Sequence, residues 1–446
     1  MEMDKKRQVV EALKSVLILL LSCSAIWLVF QTPLAAPLRD LFREEGPQTA
    51  PGMSQGVSRE LGALPIAMVV NVPSGAALPA GLEPPEGAEG VRRGIQYDQT
   101  ACQELFQRVA GSLSETLSSA GEPERVTRRQ WEEALTRCLG VYMDFQGEIP
   151  ISVLSGWLSG EDTGLSATVR RLVLTVREDG VDLYYRDETN GSYYRCQSPV
   201  ADPYSLAVAL SGLTSNGAFF AFESELYRDL DPDTLFLPDA PTPAVYTSVN
   251  PMAGVQGALK ELVQDLGFSR NSTSFYSTDE QVARSGDDSV RLSERGTAQY
   301  EGGSMFPILV QGNAGTLFDM VETCRQLALS ALGPRCGEAR LYLMSARERP
   351  EGWEIRFGYS LNGIPVLTEQ DCAARFLVEG ERIAQFSLYL RSYAVSGSTS
   401  LVLPPRQGAA ALIARGLQGE ELLLTYTDSG GETLTAGWSA RDGREG

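Results

Sequence analysis

Apolar residues recur at helical spacing in two stretches of the chain after residue 96. In residues 97–120 they fall three or four positions apart, which predicts one buried face of a helix, carried by Cys102, Leu105, Phe106, Val109, Leu113 and Leu117. A second helix is predicted to begin at Thr127, because Thr127 followed by Gln130 is a capping-box pattern. Its buried stripe is predicted to be Trp131, Ala134, Leu135, Cys138 and Leu139.

Continuous and alternating apolar runs then predict strands. Val141–Phe145 reads as a strand, and Ile149–Leu158 as a short helix or loop. An antiparallel meander is predicted next, because Asp179-Gly180 and Asn190-Gly191 are hairpin turn pairs. Its three strands are Leu172–Arg177, Val181–Tyr185 and Tyr193–Cys196, and a helix at Tyr204–Leu213 closes a first domain near residue 225.

The remainder of the chain shows a weak internal repeat. Residues 253–267 and 316–333 each predict a helix that ends at glycine, and strands follow both helices. In each copy a strand ends at a glycine, Gly296 or Gly380, and the next strand carries Ala-Gln-aromatic. The pattern predicts two related helix-plus-meander units, with chance as the alternative because the identities are few.

Residues 15–30 contain no charged residue and predict a membrane-spanning helix. At about 1.5 Å per residue they cover roughly 24 Å, and residues 31–34 can extend the helix into the interface of a bilayer core ~30 Å thick. The preceding Lys5, Lys6, Arg7 and Lys14 predict a cytoplasmic N-terminus by the positive-inside rule. A signal peptide cleaved after Ala36 and a lipoprotein modified at Cys23 are the alternatives.

Together these patterns predict an α+β protein with a single N-terminal transmembrane helix and a multi-domain ectodomain of helices packed on antiparallel β-meanders. Residues 46–94 have the Gly/Pro-rich composition of a linker, interrupted by a short strand near Leu64–Val70. The predicted segments are a cytoplasmic N-terminus 1–14, an anchor 15–34, a Gly/Pro-rich linker with a short strand 35–96, a first α+β domain 97–225, and two helix-plus-meander domains 226–303 and 304–446.

Composition narrows the function. The 446 residues carry a formal net charge of −19, which argues against a nucleic-acid or anionic-lipid binder. Histidine is absent, so Ser-His-Asp catalysis, Cys-His catalysis and His-ligated metal sites are excluded. Lys260 is the one lysine beyond Lys14, which makes lysine Schiff-base chemistry and a Walker-type phosphate site improbable.

Acidic residues are the remaining candidates for chemistry. Asp229, Asp231 and Asp233 alternate as in a calcium loop, but Thr234 and Ala240 stand where an EF-hand needs Gly and Glu, so an exposed acidic turn is expected. Three adjacent pairs would point apart on a helix or strand and give no glycosidase dyad; they are Glu132-Glu133, Asp287-Asp288 and Glu420-Glu421. The sequence therefore predicts no catalytic, cofactor-binding or metal-binding residue.

Cysteine and tryptophan leave structural alternatives open. Six of the seven cysteines follow the anchor and could form three disulfides, whereas Cys102 and Cys138 fit buried positions of predicted helices. Cys324 and Cys336 bracket a helix end and are the pair to test first. Trp157, Trp353 and Trp438 could line a groove, although a buried core is the commoner use of tryptophan.

Several motifs in the C-terminal third occur together with the basic N-terminus and its single anchor. They are the hairpin at Gly380 that leads to Tyr389–Tyr393, the closing Leu422–Tyr426 segment with Trp438, and the motif Phe357, Gly358, Tyr359, Asn362, Gly363, Ile364, Pro365 and Val366. On these residues the sequence resembles the YycH/YycI regulatory proteins of Gram-positive bacteria. The resemblance covers the anchor and the C-terminal third best, and by length it is closer to YycH than to YycI.

The resemblance implies a non-catalytic, membrane-anchored accessory regulator of a cell-envelope sensor histidine kinase. Its partners would be the kinase of a two-component system and a sister YycI/YycH-type protein, without a cofactor. Ser15, Ser22 and Ala25 fall roughly on one side of the anchor and form a candidate pairing face, although serine can also be tolerated there through a bond to its own helix. The alternatives are an extracytoplasmic acid-residue hydrolase of envelope glycans and a cell-wall-binding lipoprotein.

Overall fold

A computed structural model describes residues 59–75, 90–160, 163–267, 273–276, 280–285, 287–302, 308–312 and 315–441. The predicted anchor, with Ser15, Ser22 and Ala25, lies outside these residues. Inside them, no helix has the length and apolar character needed to cross a bilayer.

Helices occupy the positions that apolar periodicity and capping residues predict. Helix α1 begins after Asp98, whose side chain accepts a hydrogen bond from the Ala101 amide, and it buries all six predicted stripe residues. Helix α2 begins at the predicted Thr127 capping box and buries Trp131, Ala134 and Leu135, but it ends at Thr136, so the prediction that Cys138 and Leu139 belong to its stripe is wrong. The described helices are α1 Gln99–Ser118, α2 Arg128–Thr136, α3 Ile151–Leu158, α4 Pro203–Ala209, α5 Ala258–Asp265, α6 Leu317–Leu332 and α7 Pro405–Ala414.

The described strands are β1 Ala67–Val72, β2 Val91–Gln96, β3 Glu124–Val126, β4 Gly140–Pro150, β5 Thr168–Arg177, β6 Gly180–Asp187, β7 Ser192–Ser198, β8 Phe219–Phe220, β9 Leu235–Phe236, β10 Ala244–Val249, β11 Thr273–Tyr276, β12 Glu280–Ser285, β13 Asp288–Ser293, β14 Thr297–Glu301, β15 Ile308–Leu309, β16 Arg340–Arg349, β17 Gly352–Leu361, β18 Ile364–Thr368, β19 Ala374–Glu379, β20 Arg382–Tyr389, β21 Ser392–Thr399, β22 Glu421–Asp428, β23 Thr433–Leu434 and β24 Ala436–Arg441. The α+β class with antiparallel meanders is therefore confirmed.

The first sheet is wholly antiparallel, in the order β2-β1-β4-β5-β6-β7-β3. It contains the predicted meander β5-β6-β7, with turns at the predicted Gly180 and Gly191. Strand β2 was not predicted, because it lies in the stretch of linker composition. It forms the edge of this sheet, and the residues that follow it reach the candidate site.

The second sheet runs through both segments that the sequence analysis separated at residue 303. Its main path is β11-β12-β13-β14-β20-β19-β17-β18-β22-β24, and β18 with β22 is a parallel pair in it. Strands β15 and β16 pair with β20 and β17. Strand β14 pairs with β20, so the two segments share continuous backbone hydrogen bonding.

The predicted hairpins at Gly296 and Gly380 both form, and each glycine has a positive φ. They lie side by side, because β14 and β20 are neighbours. Tyr300 pairs with Phe386 across these strands, and their rings stack with centroids 4.9 Å apart. The two aromatic residues of the sequence repeat thus meet in one core. That the two segments are related helix-plus-meander units stays a prediction.

The two large sheets approach each other where β4 passes β16. A Cβ at Gly147 would lie 1.8 Å from the Leu343 carbonyl oxygen, so this crossing requires glycine. Gln146 has a φ of 68°, and the register of β4 shifts between Asp144 and Ile149. Such a bulge redirects side chains, and Asp144 at its start belongs to the buried charges described below.

Candidate functional site

A cavity of about 440 Å³ lies where several distant parts of the chain meet. Its walls come from the end of β2, the loop between β9 and β10, the β17–β18 turn, the first residue of α7, and strands β22 and β24. Small-molecule sites usually measure about 300–1,000 Å³. We call this cavity the aromatic pocket, after the five rings of Tyr97, Phe236, Tyr246, Tyr426 and Trp438 that line it.

Tyr97 is held in the pocket wall in a strained conformation. Its φ is 62°, and that of Asn362, in the β17–β18 turn, is 50°. The Asn362 side chain donates to the Tyr97 carbonyl oxygen at 3.1 Å and accepts from the Gln99 amide at 3.0 Å. Left-handed backbone costs a non-glycine residue roughly 1–2 kcal/mol. The Asn362 contacts therefore offset strain and tie the turn to the start of α1.

The polar ends of three pocket rings are engaged by the protein. The Tyr97 hydroxyl accepts from the Leu424 amide at 3.1 Å, the Tyr426 hydroxyl donates to the Ala244 carbonyl at 2.6 Å, and the Trp438 Nε1 donates to the Leu403 carbonyl at 2.7 Å. Tyr97 packs edge-on against Trp438, as Tyr246 does against Tyr426. The rings therefore contribute mainly π surface.

Two exposed carboxylates, Asp98 and Asp239, stand among the pocket residues. Asp98 also caps α1. In the part of the chain that the structure describes, Asp239 has no hydrogen bond or ion pair, and neither Lys nor Arg lines the cavity. The pocket thus combines aromatic walls with negative charge.

A buried group of charges lies behind Tyr97, and we call it the Arg170 cluster. Arg170 donates to both Asp144 oxygens at 2.9 and 2.8 Å and to both Glu421 oxygens at 3.0 and 2.5 Å. Arg171 contacts Glu421 at 3.0 Å and approaches three aspartates at 3.4–3.6 Å. Its members are Arg170, Arg171, Asp144, Asp231, Asp233 and Glu421, each at most 8% exposed.

The backbone explains how adjacent arginines reach the same carboxylates. Neighbours on a regular strand point to opposite faces, but the register of β5 against β6 shifts between Val169 and Leu172. The bulge of β4 begins at Asp144 on the other side of β5. These two irregularities allow Arg170 and Arg171 to converge.

Glu421 is ionised within this cluster. Burial opposes its ionisation, but Arg170 and Arg171 outweigh burial and hold the pKa of its carboxyl well below the usual range. A carboxyl with such a pKa cannot serve as a general acid near neutral pH. Glu421 therefore acts as a counter-charge.

The acidic triplet differs from its expectation. Asp229 is exposed, but Asp231 and Asp233 are 8% and 1% exposed, so the predicted exposed acidic turn is wrong for two of the three residues. Arg171 approaches both, and Asp233 also accepts from Arg128 at 2.8 Å and from the Trp131 indole at 3.1 Å. Among the described residues no group of acidic or thiol side chains is arranged to hold a metal ion.

A second buried group, which we call the Arg391 cluster, joins β10, β21 and β22. Arg391 donates to both Asp428 oxygens at 2.8 and 2.9 Å. The same carboxylate accepts from the Tyr393 hydroxyl, the Ser248 hydroxyl and the Gly430 amide at 2.9–3.0 Å. Burial opposes ionisation, but the Arg391 hydrogen bond and charge lower the pKa of Asp428.

The structure distributes the residues of the family-like motif over the aromatic pocket, two turns, and strands β17 and β18. Asn362, Ile364 and Trp438 line the aromatic pocket. Gly380 forms its hairpin turn elsewhere, and Gly363 completes the turn that begins at Asn362. The others are packing residues in strands β17 and β18; they are Phe357, Gly358, Tyr359, Pro365 and Val366.

The remaining candidates take structural positions. Glu132 and Glu133 pair with Arg128 and Arg129 one turn away on α2. Asp287 is exposed while Asp288 is buried. Trp157 is buried and donates to Glu322, Trp353 is partly buried, and only Trp438 of the three lines the pocket.

The six described cysteines are free thiols. Cys138 is half-buried and the others are buried, including Cys102 and the pair Cys324 and Cys336. Burial raises the pKa of the Cys324 thiol well above its usual value. These cysteines behave as small apolar residues.

Several site residues were missed by the sequence analysis. Tyr97 and Asp239 carry no local signal that marks a pocket. Arg170-Arg171 does carry one, because two charges stand inside the otherwise apolar strand TVRRLVLTVR. Buried arginines need carboxylate partners, but nothing local identifies Asp144, Asp231 and Glu421 as those partners.

Comparisons with known proteins add little to this geometry. No protein-family model and no curated protein matches the chain. Among solved structures, the chain is similar to YycH from Bacillus subtilis with a TM-score of 0.49 and 10% identity, over 89% of this chain and 97% of that one. The dehydratase domain of MlnD from Bacillus amyloliquefaciens aligns with a TM-score of 0.13 and 10% identity, over 73% and 89%. A TM-score below 0.5 does not by itself establish a common fold.

Proposed function

We propose that this chain is a non-catalytic, membrane-anchored accessory regulator of a cell-envelope sensor histidine kinase. The proposal rests on the sequence resemblance to the YycH/YycI proteins. The observation that carries it is the nature of the matching residues, which are turn, packing and pocket-wall residues rather than reactive groups. Regulation would then depend on binding.

The state of the acidic side chains supports a binding role over hydrolysis. The Arg170 and Arg391 clusters pair buried carboxylates with arginine, and Glu132 and Glu133 have arginine partners as well. Acid hydrolysis of glycans needs one carboxyl that stays protonated near neutral pH. Glu421 and Asp428 have lowered pKa values, which is the opposite property. Burial raises the pKa of Asp182, Glu188 and Asp233, but each of these carboxyls is paired with arginine.

The proposed position is a single pass through the cell membrane, with the N-terminus in the cytoplasm and residues after the anchor outside. This rests on the apolar residues 15–30 and the basic residues before them. Contact with the kinase and a sister protein would involve the anchor, where small and polar residues allow helices to approach. Ser15, Ser22 and Ala25 are the proposed pairing face.

Co-purification from membranes of the native organism tests this proposal. The full-length protein should retain the kinase, and the triple variant Ser15→Leu, Ser22→Leu, Ala25→Leu should retain less while staying in the membrane. Val16→Leu, Cys23→Leu, Ser24→Leu is a matched control, because those residues fall on other sides of the helix. If both triple variants retain less kinase, or if both retain as much as the wild type, the proposed pairing face is wrong.

Two further measurements test the class of protein. The wild-type protein should leave purified wall glycans intact, and its N-terminal sequence should begin before Cys23. No kinase in the wild-type preparation would overturn the regulatory proposal. Release of glycan fragments would instead favour an enzyme, and a mature chain that begins at Cys23 would favour a lipoprotein.

A further inference from the structure

The aromatic pocket has the dimensions and lining of a ligand site. Its volume of about 440 Å³ would hold a side chain or a small organic molecule. The walls combine five aromatic rings with aliphatic residues such as Leu235, Ile364 and Leu422. An apolar body is therefore the first requirement for a ligand.

The second requirement for a ligand is the sign of its charge. Asp98 and Asp239 bring two carboxylates to the pocket, and no described lining residue is a Lys or Arg. Helices α1 and α7 both begin at the pocket, where each would contribute about +0.5 of an elementary charge. Asp98 already caps α1. Two full negative charges outweigh these partial positive charges, so an anion is disfavoured.

The aromatic rings favour the same sign of charge. Three of the five rings have their hydroxyl or indole N–H engaged by backbone groups, which leaves π surface for a ligand. A cation over an aromatic ring is attracted by the ring quadrupole, and more strongly when it is desolvated. Asn362 holds the strained Tyr97 at this wall, so the arrangement is formed before any ligand arrives.

We propose that the aromatic pocket binds an organic cation, an alkylammonium or guanidinium group carried on an apolar body. The cationic group lies between Asp98, Asp239 and the rings of Tyr97 and Trp438, and the apolar body fills the aliphatic part of the cavity. The same chemistry could come from a free amine or from a Lys or Arg side chain of another protein. The assignment does not depend on a regulatory role.

Three probes of one size and different charge test the sign. Phenethylamine, phenethyl alcohol and phenylacetate are titrated by calorimetry into the full-length protein. The amine should bind about tenfold more tightly than the alcohol, and the acid more weakly than both. Equal or tighter binding of the alcohol or the acid, or no saturable binding of the amine at millimolar concentrations, would overturn the proposal.

A charge-neutral variant tests the residues. Asp98→Asn, Asp239→Asn keeps the shape of both side chains, and asparagine caps a helix as well as aspartate does. It should weaken amine binding about tenfold and leave alcohol binding unchanged. Glu348→Gln, an exposed carboxylate on β16 away from the pocket, is the matched control and should change neither. Unchanged amine affinity in the double variant, with an unchanged melting temperature, would contradict the assignment.

A third comparison distinguishes the source of the cation. A short peptide with lysine between apolar residues should bind at least tenfold more tightly than phenethylamine if the pocket takes a protein side chain, because the flanking residues add contacts. Equal affinities would identify a free amine as the ligand. Weaker binding of both than of the alcohol would contradict a cation site altogether. Trp438→Leu should lower the affinity for phenethylamine more than the affinity for phenethyl alcohol if the ring contributes a cation–π contact.

Discussion

The Arg170 and Arg391 clusters are both buried groups of arginine and carboxylate. They differ in how completely their nitrogen and oxygen atoms are hydrogen-bonded. Asp428 accepts from five donors, and Arg391 meets it with two well-formed hydrogen bonds. In the Arg170 cluster, Arg170 is equally well engaged, but Nε and Nη2 of Arg171 make no well-formed hydrogen bond. Arg171 is therefore held mainly by charge.

The clusters also differ in what they connect. The Arg170 cluster joins β4 and β5 of the first sheet to the loop at Asp231 and to Glu421, which is 251 residues from Arg170. The Arg391 cluster joins Asp428, at the end of β22 in the second sheet, to β10 and β21, which lie in a separate three-stranded sheet with the order β21-β10-β23. Removal of one partner from a buried ion pair is costly because the other charge stays buried. We therefore expect the first cluster to matter more for the attachment of the first sheet.

Arg170→Met gives the largest expected effect, because it leaves Asp144 and Glu421 buried without their main counter-charge. The free energy of unfolding, measured by urea titration, should fall by about 3–5 kcal/mol. Arg129→Met is the matched control, since the exposed Arg129 pairs only with Glu133, one turn along α2. Its effect should stay below about 1 kcal/mol. Equal losses in the two variants would show that the cluster contributes nothing special.

Asp428→Asn should have a smaller effect than Arg170→Met. It leaves the Arg391 charge buried, but asparagine keeps the shape and can still accept from Tyr393 and Ser248. The expected loss in the free energy of unfolding is about 2–3 kcal/mol. Glu432→Gln, an exposed carboxylate of the adjacent loop, serves as control and should be nearly neutral. A loss larger than that of Arg170→Met would reverse the comparison.

Asn362→Ala tests an uncharged link, the two hydrogen bonds that join the β17–β18 turn to the backbone of Tyr97 and Gln99. It removes two hydrogen bonds to the residues around Tyr97 and places alanine at a φ of 50°. The free energy of unfolding should fall by about 2 kcal/mol. Glycine adopts a left-handed backbone without a steric penalty, so the loss in the free energy of unfolding should be about 1 kcal/mol smaller for Asn362→Gly. If the two variants are equally stable, backbone strain at this turn contributes nothing measurable.

Acid should weaken the Arg170 cluster gradually. The folded-state pKa of Glu421 lies below the ordinary glutamate value of about 4.3. Its contribution to stability is therefore complete above that pH and is lost as the pH falls towards the folded-state pKa. The difference in unfolding free energy between wild type and Glu421→Gln should narrow as the pH is lowered below about 4. A difference that stays constant, as expected for the control Glu348→Gln, would contradict ionic pairing at Glu421.

Local elements were predicted well because their causes are local. The six buried residues of α1, the Thr127 capping box and the hairpin glycines at 180, 191, 296 and 380 all act within a few residues of themselves. Strand β2 was missed because its stretch has linker composition, and its strand character comes from pairing with β1. Asn362 and Gly363 were identified as part of the family-like motif, and the contact of Asn362 with Tyr97 was not predicted.

By itself the sequence determined the α+β class, most helices and hairpins, the absence of histidine chemistry and the apolar stretch at residues 15–30. Tertiary structure alone decided that Asp231 and Asp233 are buried, that Glu421 neutralises Arg170, and that Tyr97, Tyr246, Tyr426 and Trp438 surround one cavity. The physical reason is the sequence separation over which each interaction acts. Periodicity and turn chemistry act between near neighbours, whereas a buried charge or a pocket wall obtains its partner from strands hundreds of residues away, and no local pattern specifies that pairing.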